Sequence, residues 1–441
     1  MTATEHTAAE GAFETARRAR SSSLALQSIA HDVRARALQA MADALRANEA
    51  KILTANEEDC RAALALQGEA ALPASLVQRL HLDAEKVRQM AAGLESLLRL
   101  PDPVGVLQEK LELADGLVLS RVSCPLGVLA IIFESRPEVV AQVMGLSVKS
   151  CNAVIFKGGS EARCSNRALY EVLYQAGTES GLPADFALLV ETREAVTALL
   201  KCDQYIDLII PRGSNALVKS IMEASTIPVL GHADGICTMY VHADADPRLV
   251  VPLVHDAKVQ YPAVCNAIEN LLIDRGAVQA FLPGIIADLQ KSGVRLLGDA
   301  EVCAFSSGVE PAGADEWEIE YNDLVLSIAV VGGLNEAVDF INTHGSGHTD
   351  AIITSSEAAA REFTARVDSS SVMVNASTRF SDGFRYGKGA EIGISTNKTH
   401  ARGPVGLEGL VIYKYILCGE GHCVADFSGQ GARAFTHRRL I

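Results

Sequence analysis

The chain has 441 residues, of which 49% are hydrophobic and only 5% aromatic, and its formal net charge is −15. A single hydrophobic core usually stops growing below this length, so we expect two domains packed mainly with aliphatic side chains. The acidic balance excludes a broad nucleic-acid surface, which needs concentrated positive charge, but a few arginines in a pocket could still bind an anionic substrate.

The ten cysteines include no C-x-x-C pair and no regular spacing, so we expect neither a metal site nor a disulfide framework, and a reducing, cytoplasmic environment. Residues 5–20 mix acids with arginines and lack the basic-then-apolar order of a secretory signal. No stretch approaches the roughly 18 apolar residues of a membrane span. The composition therefore indicates an acidic protein that acts away from membranes.

The first predicted elements are helices. Residues 8–100 are rich in Ala, Leu, Arg and Glu, and their apolar residues recur at helical spacing. Pro101 and Pro103 end this region. Residues 104–122 then alternate apolar and polar side chains around Gly116, which predicts an exposed antiparallel hairpin that could serve an oligomer interface.

From residue 123 the pattern changes to strand, turn and helix, as in βαβ units. Short, continuous apolar runs predict a parallel sheet that is buried on both faces, with helices at 166–177 and 214–224. The predicted strands are Val128–Phe133, Ala153–Phe156, Phe186–Val190 and Ile206–Ile210.

A second series of strand and helix patterns, from about residue 233 to 403, predicts a separate α/β domain. Glycine-rich turns are expected within it at 345–347 and 387–393. After Pro404, the runs Leu410–Leu417 and Val424–Phe427 have strand character, and we expect both to pair with the hairpin.

Cys265 is the most informative residue of the chain. It follows a proline-containing loop, has a polar neighbour in Asn266 and precedes an apolar run, so we expect it at the mouth of a strand. A thiol in such a place can attack an acyl carbon. A buried, inert cysteine is the commoner state, and the local sequence leaves both interpretations open.

Lys157 ends a predicted buried strand and is followed by a glycine turn into a helix. Ligands bind at this edge of doubly wound sheets, and a helix N-terminus favours anions, so Lys157 could hold a ribose or a phosphate. An ordinary turn with an extended lysine is the open alternative. A similar turn occurs at 211–215, but neither turn has the G-x-G-x-x-G fingerprint of a standard Rossmann motif.

Taken together, several motifs resemble the gamma-glutamyl phosphate reductase family of the aldehyde dehydrogenase superfamily. They occur in order over nearly the whole chain, at 125–128, 133–137, 156–161, 264–267, 344–350, 377–383 and 400–408. The resemblance implies an α/β, aldehyde-dehydrogenase-like fold with a Rossmann-like parallel sheet in the cofactor domain. The implied parts are an NADPH-binding domain of residues 1–103 and 123–231, a catalytic α/β domain of residues 232–403, and an oligomerisation hairpin and tail of residues 104–122 and 404–441.

The resemblance also implies a reaction. L-glutamyl 5-phosphate would be reduced with NADPH to glutamate 5-semialdehyde, with release of phosphate, as a step of proline biosynthesis. A homo-oligomer and functional coupling to glutamate 5-kinase are implied partners. Open alternatives are a dehydrogenase for another acyl phosphate or thioester, and an inactive paralogue that binds dinucleotide as an assembly partner.

For catalysis, the resemblance makes Cys265 the nucleophile that forms a thioester, with Asn266 and Ser135 as candidate oxyanion donors. Hydrolytic relatives activate water with a glutamate, and the stretch Val229–His232 here has Val229 in its place. Valine cannot accept a proton, so the thioester should await hydride. Arg136 could contact the substrate phosphate or simply form a surface ion pair.

The implied cofactor site contains Lys157 and Ser160 at the adenosine ribose, Gly213 and Ser214 beneath the pyrophosphate, and Glu320 at the nicotinamide ribose. In the superfamily an acid that grips both ribose hydroxyls falls on Ser160. Loss of that carboxylate favours NADPH over NADH, unless a register shift of one places Glu161 there.

The glutamyl group carries a carboxylate and an ammonium, so its site needs a cation and an anion. Arg379 and Asp382 could supply them, and His348 and Thr349 could add hydrogen bonds. A loop in which Arg379 and Asp382 only pair with each other is the open alternative.

Overall fold

The computed structural model describes residues 3–66, 68, 72, 74–231 and 234–441, and the chain forms two compact units. The first unit comprises Met1–Leu230, Lys388–Gly393 and Val405–Ile441, and the second comprises Gly231–Gly387 and Ile394–Pro404. The predicted hairpin and tail are therefore parts of the first compact unit.

Five helices open the first unit, which confirms the helical pattern of residues 8–100. They are α1 (Ala3–Leu26), α2 (His31–Ala47), α3 (Glu49–Ala65), α4 (Ala74–Leu80) and α5 (Ala84–Arg99). Helix α5 shows why these residues form helices. The Asp83 side chain caps its N-terminus by accepting a hydrogen bond from the N–H of Lys86. Its apolar residues lie on one buried face, so tertiary packing stabilises the helix.

A parallel four-stranded sheet forms the core of the first unit, in the order β5-β4-β3-β6. The elements of this part of the chain are β1 (Leu107–Ala114), β2 (Leu117–Pro125), β3 (Val128–Phe133), α6 (Glu138–Lys149), β4 (Ala153–Gly158), α7 (Arg163–Glu179), β5 (Ala187–Leu189), α8 (Arg193–Leu199), β6 (Leu208–Arg212) and α9 (Asn215–Ala224). Every residue of β3 is buried, as predicted for a strand covered on both faces. The four predicted strands are confirmed.

A parallel seven-stranded sheet forms the core of the second unit, in the order β10-β9-β11-β8-β7-β12-β13. The elements are β7 (Cys237–Val241), α10 (Pro247–Val259), β8 (Ile268–Asp274), α11 (Val278–Lys291), β9 (Arg295–Gly298), α12 (Ala300–Phe305), β10 (Glu310–Pro311), β11 (Val325–Val331), α13 (Leu334–His344), β12 (Thr349–Ile353), α14 (Glu357–Arg366) and β13 (Ser371–Val374). Strand β8 lies at the centre of this sheet and is buried throughout. Packing on both faces and pairing on both sides therefore hold its N-terminal end in place. Two short strands, β14 (Gly393–Ser395) and β15 (Gly403–Val405), pair with each other.

The hairpin of β1 and β2 is confirmed, and it turns at Asp115 and Gly116. Gly116 has a φ of 74°, which glycine adopts without steric cost. Strand β16 (Val411–Cys418) pairs antiparallel with β2, as predicted for the first run of the tail. A short strand, β17 (Arg438–Arg439), pairs antiparallel with β1.

The prediction of a second tail strand at Val424–Phe427 is wrong. These residues form a 3-10 turn, in which the Asp426 carboxylate accepts a hydrogen bond of 3.2 Å from the N–H of Cys423. Aspartate commonly closes turns in this way, and the run is too short for its apolar residues to outweigh that bond. The strand that pairs with β1 lies further along the chain, at Arg438–Arg439.

Candidate active site

Cys265 lies in the turn between α10 and β8, three residues before the strand begins at Ile268. The turn is closed by a 3.0 Å hydrogen bond from the N–H of Ala267 to the carbonyl of Val264. The Cys265 side chain is half-buried, so solutes can reach it. The predicted position at the mouth of a strand is confirmed.

Two residues that the sequence analysis does not single out hold the backbone of Cys265. A Cβ atom on Gly235 would lie only 2.5 Å from the carbonyl oxygen of Cys265, so only glycine fits there. The thiol of Cys237 donates a hydrogen bond of 3.1 Å to that same oxygen. Complete burial raises the pKa of Cys237 well above its ordinary value, which keeps the thiol protonated and able to donate.

Asn266, a predicted oxyanion donor, anchors the turn to a neighbouring loop. Its Nδ2 atom donates a hydrogen bond of 2.8 Å to the carbonyl of Ser381. An amide nitrogen carries two hydrogens, so one remains for an oxyanion. The geometry therefore gives Asn266 a positioning contact in addition to its predicted role.

Ser135, the second predicted oxyanion donor, belongs to the first unit and follows β3. It is buried and has a φ of 43°, an uncommon value for a residue other than glycine. Its N–H and its hydroxyl both donate to Oε1 of Glu161, at 2.7 and 2.9 Å. Ser135 can stabilise an oxyanion only after it exchanges this carboxylate partner.

The predicted adenosine-ribose residues lie at the end of β4. Lys157 is half-buried on the strand, and the exposed Ser160 opens a 3-10 turn that leads into α7. Ser160 lines a cleft together with Arg163, an exposed residue that the sequence analysis does not single out. The Glu161 carboxylate bends back over Gly159, where a Cβ would meet it at 2.0 Å. At the predicted adenosine-ribose position, the cleft therefore presents the Ser160 hydroxyl, the Arg163 guanidinium and the Glu191 carboxylate, and Arg167 forms an ion pair with Glu191.

Gly213 and Ser214 form the N-terminus of α9, as predicted. The Ser214 side chain caps the helix, and its backbone N–H donates a hydrogen bond of 2.9 Å to Oε2 of Glu134. A Cβ on Gly213 would lie 2.5 Å from that carboxylate oxygen, so the close approach depends on glycine. A helix N-terminus whose N–H already donates to a carboxylate is suited to bind an anion such as a pyrophosphate.

Glu320, the predicted nicotinamide-ribose residue, follows a 3-10 turn at Ala314–Glu318 in the second unit. The Nδ2 atom of Asn270 on β8 donates a hydrogen bond of 2.9 Å to the carbonyl of Trp317. The segment that carries Glu320 is thus tied to the strand that follows Cys265.

Arg379 and Asp382 do not simply pair with each other. The Nε of Arg379 donates a hydrogen bond of 3.0 Å to Gln260, which precedes Cys265 in the same loop. Asp382 instead accepts the backbone N–H groups of Phe384 and Arg385, at 2.9 and 3.0 Å. Burial lowers the pKa of Arg379 and so does Arg385, while the Cys265 side chain opposes this shift.

His348 and Thr349 are fully buried and contact each other, with 2.9 Å between Nδ1 and Oγ1. The same ring nitrogen lies 3.6 Å from the sulfur of Cys237. This contact makes His348 a support for the thiol that holds Cys265. A direct hydrogen bond to a substrate would require the substrate to reach these fully buried side chains.

Arg136 is half-buried immediately before α6 and forms no ion pair with any described residue. Val229 forms an isolated parallel bridge with Ile209. His232, at the end of the stretch that includes Val229, lies outside the described residues.

Neither a metal centre nor a membrane segment is found in the described part of the chain. It contains no cluster of three or more His, Cys, Asp or Glu side chains that could hold a metal ion. None of its helices combines the length and apolarity that crossing a membrane requires.

Comparisons with known proteins find relatives over nearly the whole chain. The model of the aldehyde dehydrogenase family matches residues 1–302. A gamma-glutamyl phosphate reductase of Methanosarcina mazei is 52% identical over 429 residues, which cover 96% of each chain. The crystal structure of a gamma-glutamyl phosphate reductase from Thermotoga maritima has a TM-score of 0.90 at 36% identity, covering 93% of this chain and 99% of that one. A glyceraldehyde-3-phosphate dehydrogenase of Methanocaldococcus jannaschii, complexed with NADP, shares the fold at 14% identity with a TM-score of 0.67, covering 93% of this chain and 95% of that one.

Proposed function

The chain belongs to the gamma-glutamyl phosphate reductases, oxidoreductases of the aldehyde dehydrogenase family with the fold predicted above, and we propose that it reduces L-glutamyl 5-phosphate with NADPH. The products are L-glutamate 5-semialdehyde and phosphate, and the step serves proline biosynthesis. The observation that best supports this reaction is the free, half-buried thiol of Cys265, which lies in a turn whose backbone is held by Gly235 and Cys237.

Cys265 acts as the nucleophile. Its thiolate forms a bond to the acyl carbon, the bond from that carbon to the phosphate oxygen breaks, and a thioester remains on the enzyme. NADPH, when bound, supplies hydride to the thioester carbon. The resulting thiohemiacetal collapses, the carbon–sulfur bond breaks, and the thiolate is restored. The backbone N–H of Cys265 and the free hydrogen of the Asn266 amide are the proposed oxyanion donors.

Substrate recognition follows the charges around the Cys265 loop. Arg379, which is buried beside that loop, is proposed to bind the α-carboxylate of the glutamyl group, and Asp382 its ammonium. Arg136 is proposed to meet the phosphate. His348 contributes through its contact with Cys237, and Thr349 contributes through its contact with His348.

A preference for NADPH is supported by the side chains at the end of β4. Ser160 and Arg163 line the cleft, and the Arg163 guanidinium would attract a 2′-phosphate. Glu191 lines it too, but its carboxylate is already bound by Arg167 at 2.5 Å. Arg163→Ala should raise the KM for NADP about tenfold, the cost of one charge-assisted hydrogen bond, and leave the KM for NAD unchanged. Arg36→Ala, which removes an exposed arginine of α2, is the matched control. Equal effects on both cofactors would contradict the assignment.

The tail supports a proposal of homo-oligomer formation. After its first residue, β16 is exposed along its whole length, although it carries Ile412, Tyr413, Tyr415, Ile416 and Leu417. An apolar edge strand of this kind needs a cover in solution. The proposal also includes a cytoplasmic location and functional coupling to glutamate 5-kinase, the kind of enzyme that supplies the acyl phosphate.

Phosphate-dependent oxidation of glutamate semialdehyde, with NADP and NAD compared side by side, tests the proposed function. Wild type should oxidise the semialdehyde faster with NADP, and Cys265→Ser should abolish turnover while still binding NADPH. Cys303→Ser, which changes another half-buried thiol, should keep full activity. Equal rates with unrelated aldehydes, or turnover by Cys265→Ser, would contradict the proposal.

A further inference from the structure

A buried ion pair closes the base of the Cys265 turn. Lys258 lies in the last turn of α10 and Glu269 lies on β8, so the two residues stand on either side of Cys265 in the chain. Their side chains are 0% and 1% exposed, and Nζ and Oε2 are 2.5 Å apart. The pair therefore joins the two ends of the loop that carries the nucleophile.

The same pair reaches the segment that carries Glu320. The second carboxylate oxygen of Glu269 accepts a hydrogen bond of 3.4 Å from the N–H of Asn322. The Lys258 ammonium lies 5.9 Å from the ring centroid of Tyr321, within range of a cation–π contact. Two buried charges thus contact both the nucleophile loop and the residues that follow Glu320.

Stability alone does not account for such a pair. Removing two charges from water is costly, and a well-packed apolar pair of similar volume is often equally stable or more so. Burial raises the pKa of Glu269 to about 7 and lowers the pKa of Lys258, in both cases against the charged form. An apolar pair could not accept the hydrogen bond from Asn322 or make the cation–π contact with Tyr321.

We propose that Lys258 and Glu269 are positioning residues of the reaction, which fix the Cys265 turn relative to the segment of Glu320. The inference rests on the proposed function, because it needs Cys265 as the nucleophile and Glu320 at the cofactor. Neither residue touches the reacting atoms. Their effect is on geometry, and it should appear in kcat more than in KM.

The double variant Lys258→Met with Glu269→Leu tests the proposal, because it removes both charges and keeps the core apolar. We expect a thermal unfolding temperature close to that of wild type and an unchanged KM for the semialdehyde. We expect kcat to fall about 10- to 100-fold, as for a nucleophile displaced by about 1 Å. The rate at which iodoacetamide alkylates Cys265 in the presence of NADP should change as well.

Controls separate this inference from the proposed function. Arg34→Met with Asp102→Leu removes an ion pair of the first unit and should leave kcat unchanged. A double variant at Lys258 and Glu269 with wild-type kcat and alkylation rate overturns the inference alone, whereas turnover by Cys265→Ser overturns the proposed function. Where the double variant does not fold, Glu269→Asp is measured instead. Its shorter carboxylate cannot keep both partners, and wild-type kcat in that variant would also overturn the inference.

Discussion

Gly235 fixes the backbone of Cys265, the proposed nucleophile, by having no side chain. The Cβ of any other residue would lie 2.5–2.6 Å from the backbone and Cβ of Cys265, and backbone atoms cannot move aside cheaply. A single methyl group at this position therefore acts on the reacting sulfur through the main chain that carries it.

Gly235→Ala should lower kcat about 100-fold, since a misplacement near 1 Å costs a factor of that size. The measurement is steady-state oxidation of the semialdehyde, with circular dichroism to confirm the fold. Gly284→Ala is the matched control, because an added Cβ there meets nothing closer than 3.5 Å. Equal activities of the two variants would show that Gly235 does not set the position of Cys265.

Asp350 makes the stability of the second unit depend on pH. It is fully buried on β12, and this burial raises its pKa to about 7, although Ser369 and the N–H of Thr238 donate hydrogen bonds to it. The folded state therefore holds a proton that the unfolded state releases near pH 4, the ordinary pKa of an aspartate. The stabilisation is complete below pH 4 and is lost as the pH rises towards about 7, at about 1.4 kcal/mol per pKa unit.

Asp350→Asn should remove this dependence, because asparagine resembles the protonated acid. We expect the free energy of unfolding of wild type, measured relative to the variant, to decrease between about pH 4 and pH 7. Urea unfolding at a series of pH values measures it. A difference that stays constant, or that grows with pH, would contradict the raised pKa.

The candidate nucleophile could be singled out from sequence, but its supports could not. A loop, a polar neighbour and an apolar run are adjacent in the chain at Cys265, and the family resemblance then assigns it the role. Cys237 lies 28 positions away from it, and its contact forms only when β7 and β8 pair. The bond from Ser135 to Glu161 likewise depends on the pairing of β3 with β4.

At the scale of elements, β16 is a long, exposed and largely apolar strand that we propose a partner covers. It pairs with β2 on one side only, and it ends one edge of the four-stranded sheet β16-β2-β1-β17. The other edge is occupied by β17, whose Arg438 forms an ion pair with Glu112 on β1. Edge strands that carry charge resist further pairing, so we expect assembly through β16.

Ile416→Lys should weaken self-association by roughly tenfold or more, because a buried interface centre tolerates an unpaired charge poorly. Ile416 is 41% exposed. Size-exclusion chromatography with light scattering at several concentrations measures the change. Val424→Lys places the same charge at an 86% exposed residue outside β16 and should have no effect. A monomeric wild type, or unchanged assembly of Ile416→Lys, would contradict the proposed interface.

The pattern of apolar residues predicted correctly those strands that are buried in the core. Strands β3 to β6 are continuous apolar runs, and a buried position leaves few other conformations open to such a run. At Val424–Phe427 the residues are exposed, so a local side-chain bond of Asp426 determined the conformation instead. The two residues of β17 are too few for any periodic pattern.

At the scale of the whole molecule, the residues assigned to the proposed chemistry are divided between the two compact units. Cys265, Arg379 and Glu320 belong to the second unit, and Lys157 and Ser135 belong to the first. The order of motifs along the chain identified the family, because many short matches in sequence are improbable by chance. The order of motifs could not predict which donors meet the substrate. Ser135 donates a hydrogen bond to Glu161, and Asn266 donates one to Ser381, and neither contact is visible in the sequence.

We propose that Cys265 carries a thioester that phosphate or hydride resolves and water does not, because the family resemblance predicts Val229 where hydrolytic relatives have their base. Incubation of the enzyme with glutamate semialdehyde and NADP, without phosphate, tests it most directly. We predict a stoichiometric burst of NADPH and a glutamyl adduct on the peptide that contains Cys265, both followed by steady turnover once phosphate is added. Continuous turnover without phosphate, or an adduct on another residue, would contradict the claim.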